Sequence, residues 1–258
     1  MTVDRWIGVS GAHNVRDLGG LPLRNSGGAT TSTGALYRAD ALDGLTADDL
    51  RLLHEQLGVR HVVDLRSASE RAERGRGRLG DVDGVAYTEV EVIPADLIDA
   101  RQAARKQAVE RGGVAASIMA GGYIQLLDYG APAFTAAVTE ISRPGGTPAL
   151  FHCAAGKDRT GVLAALLLEV AGVERDAIVA DYALTSERLE PIFTRLRGVD
   201  SFEQLAADVP AFVFEAVADT MVEFLDRLDD QWGSAAGYLT AIGVPDDSIE
   251  RIRTLLTT

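Results

Sequence analysis

The segment His152–Gly161 constrains this chain more than any other part of its sequence. It holds the only cysteine of the 258 residues, Cys153, and an arginine, Arg159, follows after five intervening residues. An apolar stretch, 149–151, leads into the segment, and a second apolar run, 162–170, follows it. This order predicts a buried strand, a tight loop and a helix.

The residue types of this loop indicate attack on a phosphate by a thiolate. Unpaired backbone N–H groups at a helix N-terminus favour an anion, and a short loop can direct further amides at the same point. The same environment favours the thiolate, which is the reactive form of a cysteine. We therefore expect Cys153 to be the nucleophile and the planar fork of Arg159 to bind two phosphate oxygens.

The other loop residues have predicted supporting roles. The small residues Ala154, Ala155 and Gly156 allow the backbone to approach a bound phosphate. Thr160 is expected at the substrate site, where its hydroxyl would hydrogen-bond the sulfur, and His152 is expected to brace the loop. The alternative is a buried structural cysteine beside a helix. The occurrence of Cys, Gly, Lys, Asp, Arg, Thr and Gly in one register disfavours that alternative.

The pattern His-Cys-x5-Arg-Thr at 152–160 resembles the signature of the cysteine-dependent protein tyrosine phosphatase superfamily. Its Gly-Lys-Asp-Arg variant at 156–159 resembles the atypical bacterial tyrosine and lipid phosphatases of the mycobacterial PtpB type. The resemblance implies a PTP-like fold and hydrolysis of phosphomonoesters. It also implies that Lys157 binds a second phosphate or an acidic part of the substrate, and that Asp158 positions Arg159 or a water molecule.

The N-terminal stretch Asn14–Gly20 has the composition of a turn. By the same resemblance it is a structural brace for the site, formed by Asn14, Arg16 and Asp17. The resemblance also places the segment around Arg38 near the pocket, so we expect Arg38 to contact the substrate.

The source of the proton for the leaving oxygen is open. Many relatives carry the general acid in a Trp-Pro-Asp loop, but neither Trp6 nor Trp232 is followed by Pro-Asp here. Asp64 is one candidate, because it ends a predicted strand and open α/β sheets bind ligands there. An ion pair with Arg66 is the structural alternative for Asp64. Asp158, inside the loop, is the rival acid.

The order of predicted elements favours an α/β fold. We expect a mostly parallel central sheet of four or five strands with helices on both faces, formed by residues 1–258 as a single phosphatase domain. The strand at 147–152 is expected at the centre and the strand at 85–92 at an edge. Residues 186–230 are helix-rich. They are interpreted either as a helical subdomain with its own core or as a helical lid over the pocket.

Composition limits the partners and the compartment. The net charge of −13 argues against nucleic acid and against general adhesion to anionic membranes. No apolar run reaches 18 residues, so we expect no stable insertion into a membrane. A single cysteine excludes an internal disulfide and favours a reducing cytoplasm, although the family resemblance includes proteins exported without an obvious signal.

Together these observations predict a phosphatase that works through a cysteinyl-phosphate, with no metal or organic cofactor. Phosphotyrosine in proteins is the expected substrate. A phosphoinositide or dual-specificity phosphatase is the alternative, indicated by Lys157 and Asp158. A non-catalytic phosphate-binding module is disfavoured because binding alone does not need Cys153. Single-cysteine redox chemistry is disfavoured by the missing second cysteine. The sequence indicates no oligomeric state.

Overall fold

The structure is a computed structural model that describes residues 5–94, 97–198, 203 and 209–257. The side chain of Asp99 also lies outside the description. Part of the predicted helical segment 186–230 therefore falls outside the described residues.

A five-stranded sheet lies at the centre, with strand order β1-β2-β5-β3-β4. Only β1 runs antiparallel to its neighbour, and the pairs β2–β5, β5–β3 and β3–β4 are parallel. The strands are β1 Arg16–Asp17, β2 Leu36–Ala39, β3 His61–Asp64, β4 Ala86–Glu89 and β5 Ala149–His152. The prediction of a mostly parallel α/β sheet is confirmed, with the strand before Cys153 at its centre.

Both faces of the sheet are covered by apolar side chains. Neighbouring residues of one strand belong to different cores: Phe151 packs in the larger cluster and Leu150 in the smaller. Val63 and Val62 divide in the same way on β3. Because side chains alternate along a strand, a strand buried on both faces reads as a continuous apolar run. This is why 149–151 is apolar throughout.

Helices pack against both faces. Their bounds are α1 Ala47–Leu50 with a π-helical continuation Arg51–Gln56, α2 Ala68–Arg74, α3 Ile98–Glu110, α4 Ala115–Tyr129, α5 Ala131–Ser142, α6 Asp158–Val170, α7 Arg175–Ala183, α8 Leu189–Leu196, α9 Ala218–Trp232, α10 Ala235–Ala241 and α11 Asp246–Thr257. Within the described chain, no helix is both long and apolar enough to cross a bilayer.

The described residues of the helix-rich segment 186–230 divide into two parts. Helix α9 presents Met221, Phe224 and Leu228 to the larger core, where it packs on α4. Helix α8 and the 3₁₀ turn Ala211–Phe214 lie instead over the carboxyl end of the sheet. Of these two described parts, the earlier one lies at that end of the sheet and the later one joins the larger core.

Candidate active site

The loop between β5 and α6 forms part of the wall of a cavity of about 430 Å³. Cys153 follows β5 directly, lines the cavity and is 2% exposed. The N-cap residue of α6, Lys157, makes no side-chain hydrogen bond to the helix end, which leaves the first N–H groups of α6 available to an anion. The cavity is also lined by Ala154, Ala155, Lys157, Asp158 and Arg159.

Gly156 gives the loop its tight curvature. Its φ is +67°, in the region that favours glycine. A Cβ at this position would lie 2.5 Å from the carbonyl oxygen of Ala39 and 2.8 Å from Nδ2 of Asn14. The residue faces these neighbours and is not among the side chains lining the cavity, so its contribution there is through its backbone.

Asn14 lies directly against the loop. Its Nδ2 donates to the carbonyl oxygens of Ala155 at 3.0 Å and Gly156 at 3.1 Å. Arg16 donates to Oδ1 of Asn14, which orients the amide, and to Oδ1 of Asp181 at 3.1 Å. These bonds join the N-terminal stretch to the far side of the loop.

Asp181 on α7 is a residue that sequence reasoning missed. Its buried carboxylate accepts from Arg5, Arg16 and Arg38. Burial alone would raise the pKa of Asp181, but Arg16, Arg38 and Arg5 lower it well below its usual range. The signal available in the sequence was the pair Arg16 and Arg38, since buried arginines need a carboxylate partner.

Two predicted site residues lie away from the cavity. The guanidinium of Arg38 is buried beneath the loop and donates to Asp181 at 2.6 Å and to the carbonyl oxygen of Gly156 at 2.8 Å. Its predicted contact with substrate therefore stays a prediction that this arrangement does not support. Asp17 accepts from the backbone N–H groups of Gly19 and Gly34, each at 2.8 Å. It holds a turn and does not touch the loop between β5 and α6.

Asp64 is not among the residues that line the cavity, so this structure gives no support to its predicted role as general acid, which stays a prediction. The carboxylate is fully buried, accepts from Arg66 at 2.7 Å and from the Tyr87 hydroxyl, and lies 3.8 Å from His152. Burial opposes its ionisation, but His152, Arg66 and Tyr87 together lower the pKa of Asp64 well below the usual range. The structural alternative, an ion pair with Arg66, is the arrangement found.

Arg159 is held by Glu70, a second residue that sequence reasoning missed. The two side chains form a bidentate pair with N–O distances of 2.6 and 2.8 Å. Glu70 also forms a capping box with Ser67 at the start of α2. Burial would raise the pKa of Glu70, but Arg159 and Ser67 lower it to about 2. The Ser-x-x-Glu spacing was a visible capping signal, but nothing in it indicated the arginine.

Asp158 lies on the cavity wall with its own set of partners. The Tyr123 hydroxyl donates to Oδ1 of Asp158 at 2.7 Å, and Nζ of Lys157 lies 3.5 Å from the same oxygen. Burial would raise the pKa of Asp158, but Lys157, Tyr123, Arg101 and Arg105 lower it. Of the two aspartates considered as the acid, only Asp158 lines the cavity.

Lys157 contacts the chain and not open solvent. It is 3% exposed, and its Nζ donates to the carbonyl oxygens of Val213 and, at 3.0 Å, Glu215. Burial lowers the pKa of Lys157. In this structure the ammonium group is hydrogen-bonded to the backbone at the turn 211–214. The expected contact was with a second phosphate of the substrate.

Thr160 and His152 lie behind the loop. The predicted hydrogen bond from Thr160 to the sulfur is not formed, because Oγ1 is buried with no hydrogen-bond partner in the described part of the chain. Nδ1 of His152 lies 3.2 Å from the carbonyl oxygen of Cys153, and burial lowers the pKa of this histidine. His152 therefore contacts the loop backbone from behind.

Apolar side chains cover the cavity opposite Cys153. Phe193 and Phe214 meet edge to face with ring centroids 5.3 Å apart. Four of the cavity-lining residues come from α8 and the following turn, and we call them the roof: Phe193, Leu196, Val213 and Phe214. Arg195 fastens α8 by pairing with Asp40 at 2.8 Å and Asp43 at 3.2 Å.

Comparison with known proteins adds a family-level finding. A model described as "Tyrosine phosphatase family" matches residues 7–258. The triple specificity protein phosphatase PtpB of Mycobacterium tuberculosis is 31% identical, over 96% of this chain and 98% of that protein. A tyrosine-protein phosphatase of Nostoc commune is 31% identical, over 86% of this chain and 74% of its own length.

A solved structure is also similar over part of the fold. The core catalytic domain of the PP-IP phosphatase SIW14 from S. cerevisiae covers 78% of this chain and 94% of its own, with a TM-score of 0.41 and 15% identity. Both values are low, so the fold assignment comes from the five-stranded sheet itself.

Proposed function

The chain belongs to the tyrosine phosphatase family, and from that premise we propose that it hydrolyses phosphotyrosine in proteins through a cysteinyl-phosphate on Cys153. One observation carries the proposal. The sole cysteine and Arg159 line one cavity at the start of α6, with the arginine fork held in place by Glu70. A binding module has no need of the cysteine in that position.

The first step forms a sulfur–phosphorus bond and breaks the phosphorus–oxygen bond to the leaving group. The thiolate of Cys153 attacks in line. Arg159 and the loop N–H groups bind the three non-bridging oxygens, whose charge is spread in the transition state. Because Glu70 fixes the guanidinium plane, little reorganisation is needed as the phosphoryl group transfers.

Asp158 is the proposed proton-transfer group. A phosphate dianion beside it disfavours its ionised form and so raises its affinity for a proton, which it then donates to the leaving oxygen. As the resulting carboxylate, Asp158 accepts a proton from the water that attacks phosphorus in the second step. That attack breaks the sulfur–phosphorus bond and regenerates the thiolate of Cys153 with release of inorganic phosphate.

The apolar roof supports an aryl phosphate as the substrate. The cavity of about 430 Å³ exceeds the space a phosphate needs, and Phe193 and Phe214 lie where a tyrosyl ring would enter. With Cys153 only 2% exposed, the roof must move for a phosphotyrosine side chain to reach it. We therefore propose that α8 and the turn 211–214 act as a lid within a single phosphatase domain.

A phosphoinositide is the second candidate substrate. Arg101 and Arg105 of α3 also line the cavity and offer guanidinium groups to a further phosphate. The PtpB relative is named as a triple specificity phosphatase, which supports keeping this candidate. The proposal includes a cytoplasmic location and no nucleic-acid partner, supported by the single cysteine and the net charge of −13.

Substitution of the nucleophile tests the proposed function. In Cys153→Ser, we expect turnover of para-nitrophenyl phosphate to fall by at least about three orders of magnitude, because a hydroxyl lacks the nucleophilicity of a thiolate. Binding of inorganic phosphate should persist, since Arg159 and the loop amides remain. Steady-state kinetics and a phosphate titration by calorimetry measure the two quantities. Turnover at the wild-type rate would exclude the mechanism.

A further inference from the structure

A second cavity, of about 360 Å³, lies between α3, α4 and α9. We call it the arginine cavity, because it is lined by the guanidinium-bearing residues Arg101, Arg105, Arg111 and Arg227. Arg101 and Arg105 also line the catalytic cavity, so the two spaces are neighbours that share a wall. The bond-making and bond-breaking steps proposed above use none of the four directly, although Arg101 and Arg105 lower the pKa of Asp158.

Three of these arginines lack a direct side-chain partner within the part of the chain that the structure describes. The side chains of Arg101, Arg105 and Arg111 make no hydrogen bond or ion pair with any described residue, and Nε of Arg101 is buried. Asp158, on the wall of the catalytic cavity, attracts Arg101 and Arg105 without a direct contact. Burial, followed by the charge of Arg105, lowers the pKa of Arg101 to about 10. Since the whole chain carries a charge of −13, this unpaired positive cluster stands out from its surroundings. An anion in the cavity would relieve the repulsion.

Arg227 is held at the opposite wall. It donates to Glu223 at 2.6 Å and to the Ser117 hydroxyl at 2.7 Å. A Cβ at Gly121, in the interior of α4, would lie 3.0 Å from Nη1 of Arg227. Gly122 follows at once, so α4 carries two glycines that each cost a helix about 1 kcal/mol relative to alanine. The missing side chains leave space beside the arginines on this side of the cavity.

We propose that the arginine cavity is a second binding site for a phosphoryl anion. Guanidinium forks pair bidentately with phosphate oxygens, and the unpaired groups on α3 converge on a space large enough for one. The anion has two chemical sources: a second phosphate on the substrate held in the catalytic cavity, or free inorganic phosphate, the product of the reaction. The site itself does not depend on the proposed catalytic function, because it binds without turnover.

Charge reversal at Arg111 tests the proposal, since Arg111 is exposed and lines only the arginine cavity. Lys106→Glu on the exposed face of α3 is the matched control. Each change is made in an Arg159→Ala background, which removes the catalytic fork, and binding of inorganic phosphate is followed by phosphorus NMR titration. We expect Arg111→Glu to weaken binding by about tenfold or more and Lys106→Glu to change it less than about twofold. Circular dichroism confirms that each variant is folded.

A kinetic comparison distinguishes the two sources. With Arg159 intact, Arg111→Glu should leave kcat/KM for para-nitrophenyl phosphate within about twofold, because that substrate carries one phosphate. If the second phosphate belongs to the substrate, KM for a soluble dioctanoyl phosphatidylinositol bisphosphate rises by about tenfold. If the NMR titration changes and this KM does not, the site binds free phosphate. Phosphate binding equal in Arg111→Glu and in the Lys106→Glu control would overturn the proposal.

Discussion

At the scale of single residues, the carboxylates around the loop between β5 and α6 have separate tasks. Asp64 holds Arg66, Glu70 holds Arg159, and Asp181 holds three arginines beneath the loop. Asp158, which lines the cavity, is the proposed proton-transfer group. This division explains why two aspartates that look equivalent in sequence are predicted to behave differently.

Asp158→Asn should lower kcat for an aryl phosphate by about 10²- to 10³-fold, because it removes the proposed proton-transfer group. Asp64→Asn is the control. It leaves Arg66 buried without its charge partner, so its main effect should be a lower melting temperature. Pre-steady-state and steady-state kinetics, combined with calorimetry, separate the two. A larger loss of kcat in a folded Asp64→Asn than in Asp158→Asn would contradict the assignment.

Glu70→Gln should alter both stability and activity. The pKa of Glu70 is about 2 in the folded protein and about 4.5 in the unfolded chain. Its contribution to the free energy of unfolding is therefore present above about pH 4.5 and lost as the pH falls to about 2. By linkage this contribution is about 3 kcal/mol. When the free energy of unfolding is measured with denaturant from pH 6 to pH 2, it should fall less steeply with decreasing pH in Glu70→Gln than in the wild type.

The same substitution loosens the guanidinium of Arg159, and we expect kcat to fall by about tenfold while the cysteine remains reactive. Glu73→Gln, at a neighbouring position of α2, is a control of equal charge change. The pair would not position Arg159 if kcat were unchanged in Glu70→Gln, or if the free energy of unfolding fell with decreasing pH as steeply as in the wild type.

At the scale of elements, the strand–loop–helix around Cys153 could be predicted because its residues are local in sequence. The apolar run of β5, the glycine and the start of α6 lie within one short segment. The brace could be predicted only from the resemblance, since Asn14 meets Ala155 across 141 positions of the chain. The sequence of residues 186–230 is helix-rich, but periodicity does not tell which core a helix joins.

Lys157→Met should release the turn at 211–214 while keeping an unbranched side chain that is one atom shorter. The wild-type ammonium group donates to the carbonyl oxygens of Val213 and Glu215, and methionine donates to neither. We expect amide hydrogen exchange in 211–215 to accelerate by about tenfold or more and Cys153 to be alkylated faster by iodoacetamide. Lys106→Met is the control. Equal exchange and alkylation rates in the two variants would show that Lys157 does not fasten the roof.

At the scale of the whole molecule, composition and order of elements predicted the fold class, and one motif predicted the family. The partners of the buried charges could not be read from the sequence, because Glu70 and Asp181 reach their arginines through the tertiary fold. The same holds for the arginine cavity, which forms where α3, α4 and α9 meet. The net charge does not predict this cavity, because a chain that is acidic overall can still have several arginines close together in its fold.

Trapping the cysteinyl-phosphate shows whether a phosphoryl group passes through Cys153. The wild-type protein is mixed with a phosphotyrosine peptide, quenched in acid within milliseconds, digested and examined by mass spectrometry. We expect one phosphoryl group on the peptide that contains Cys153, and none when Cys153→Ser is treated in the same way. A burst of free tyrosine peptide with no phosphoryl group on Cys153, or with the group on another residue, would contradict this expectation.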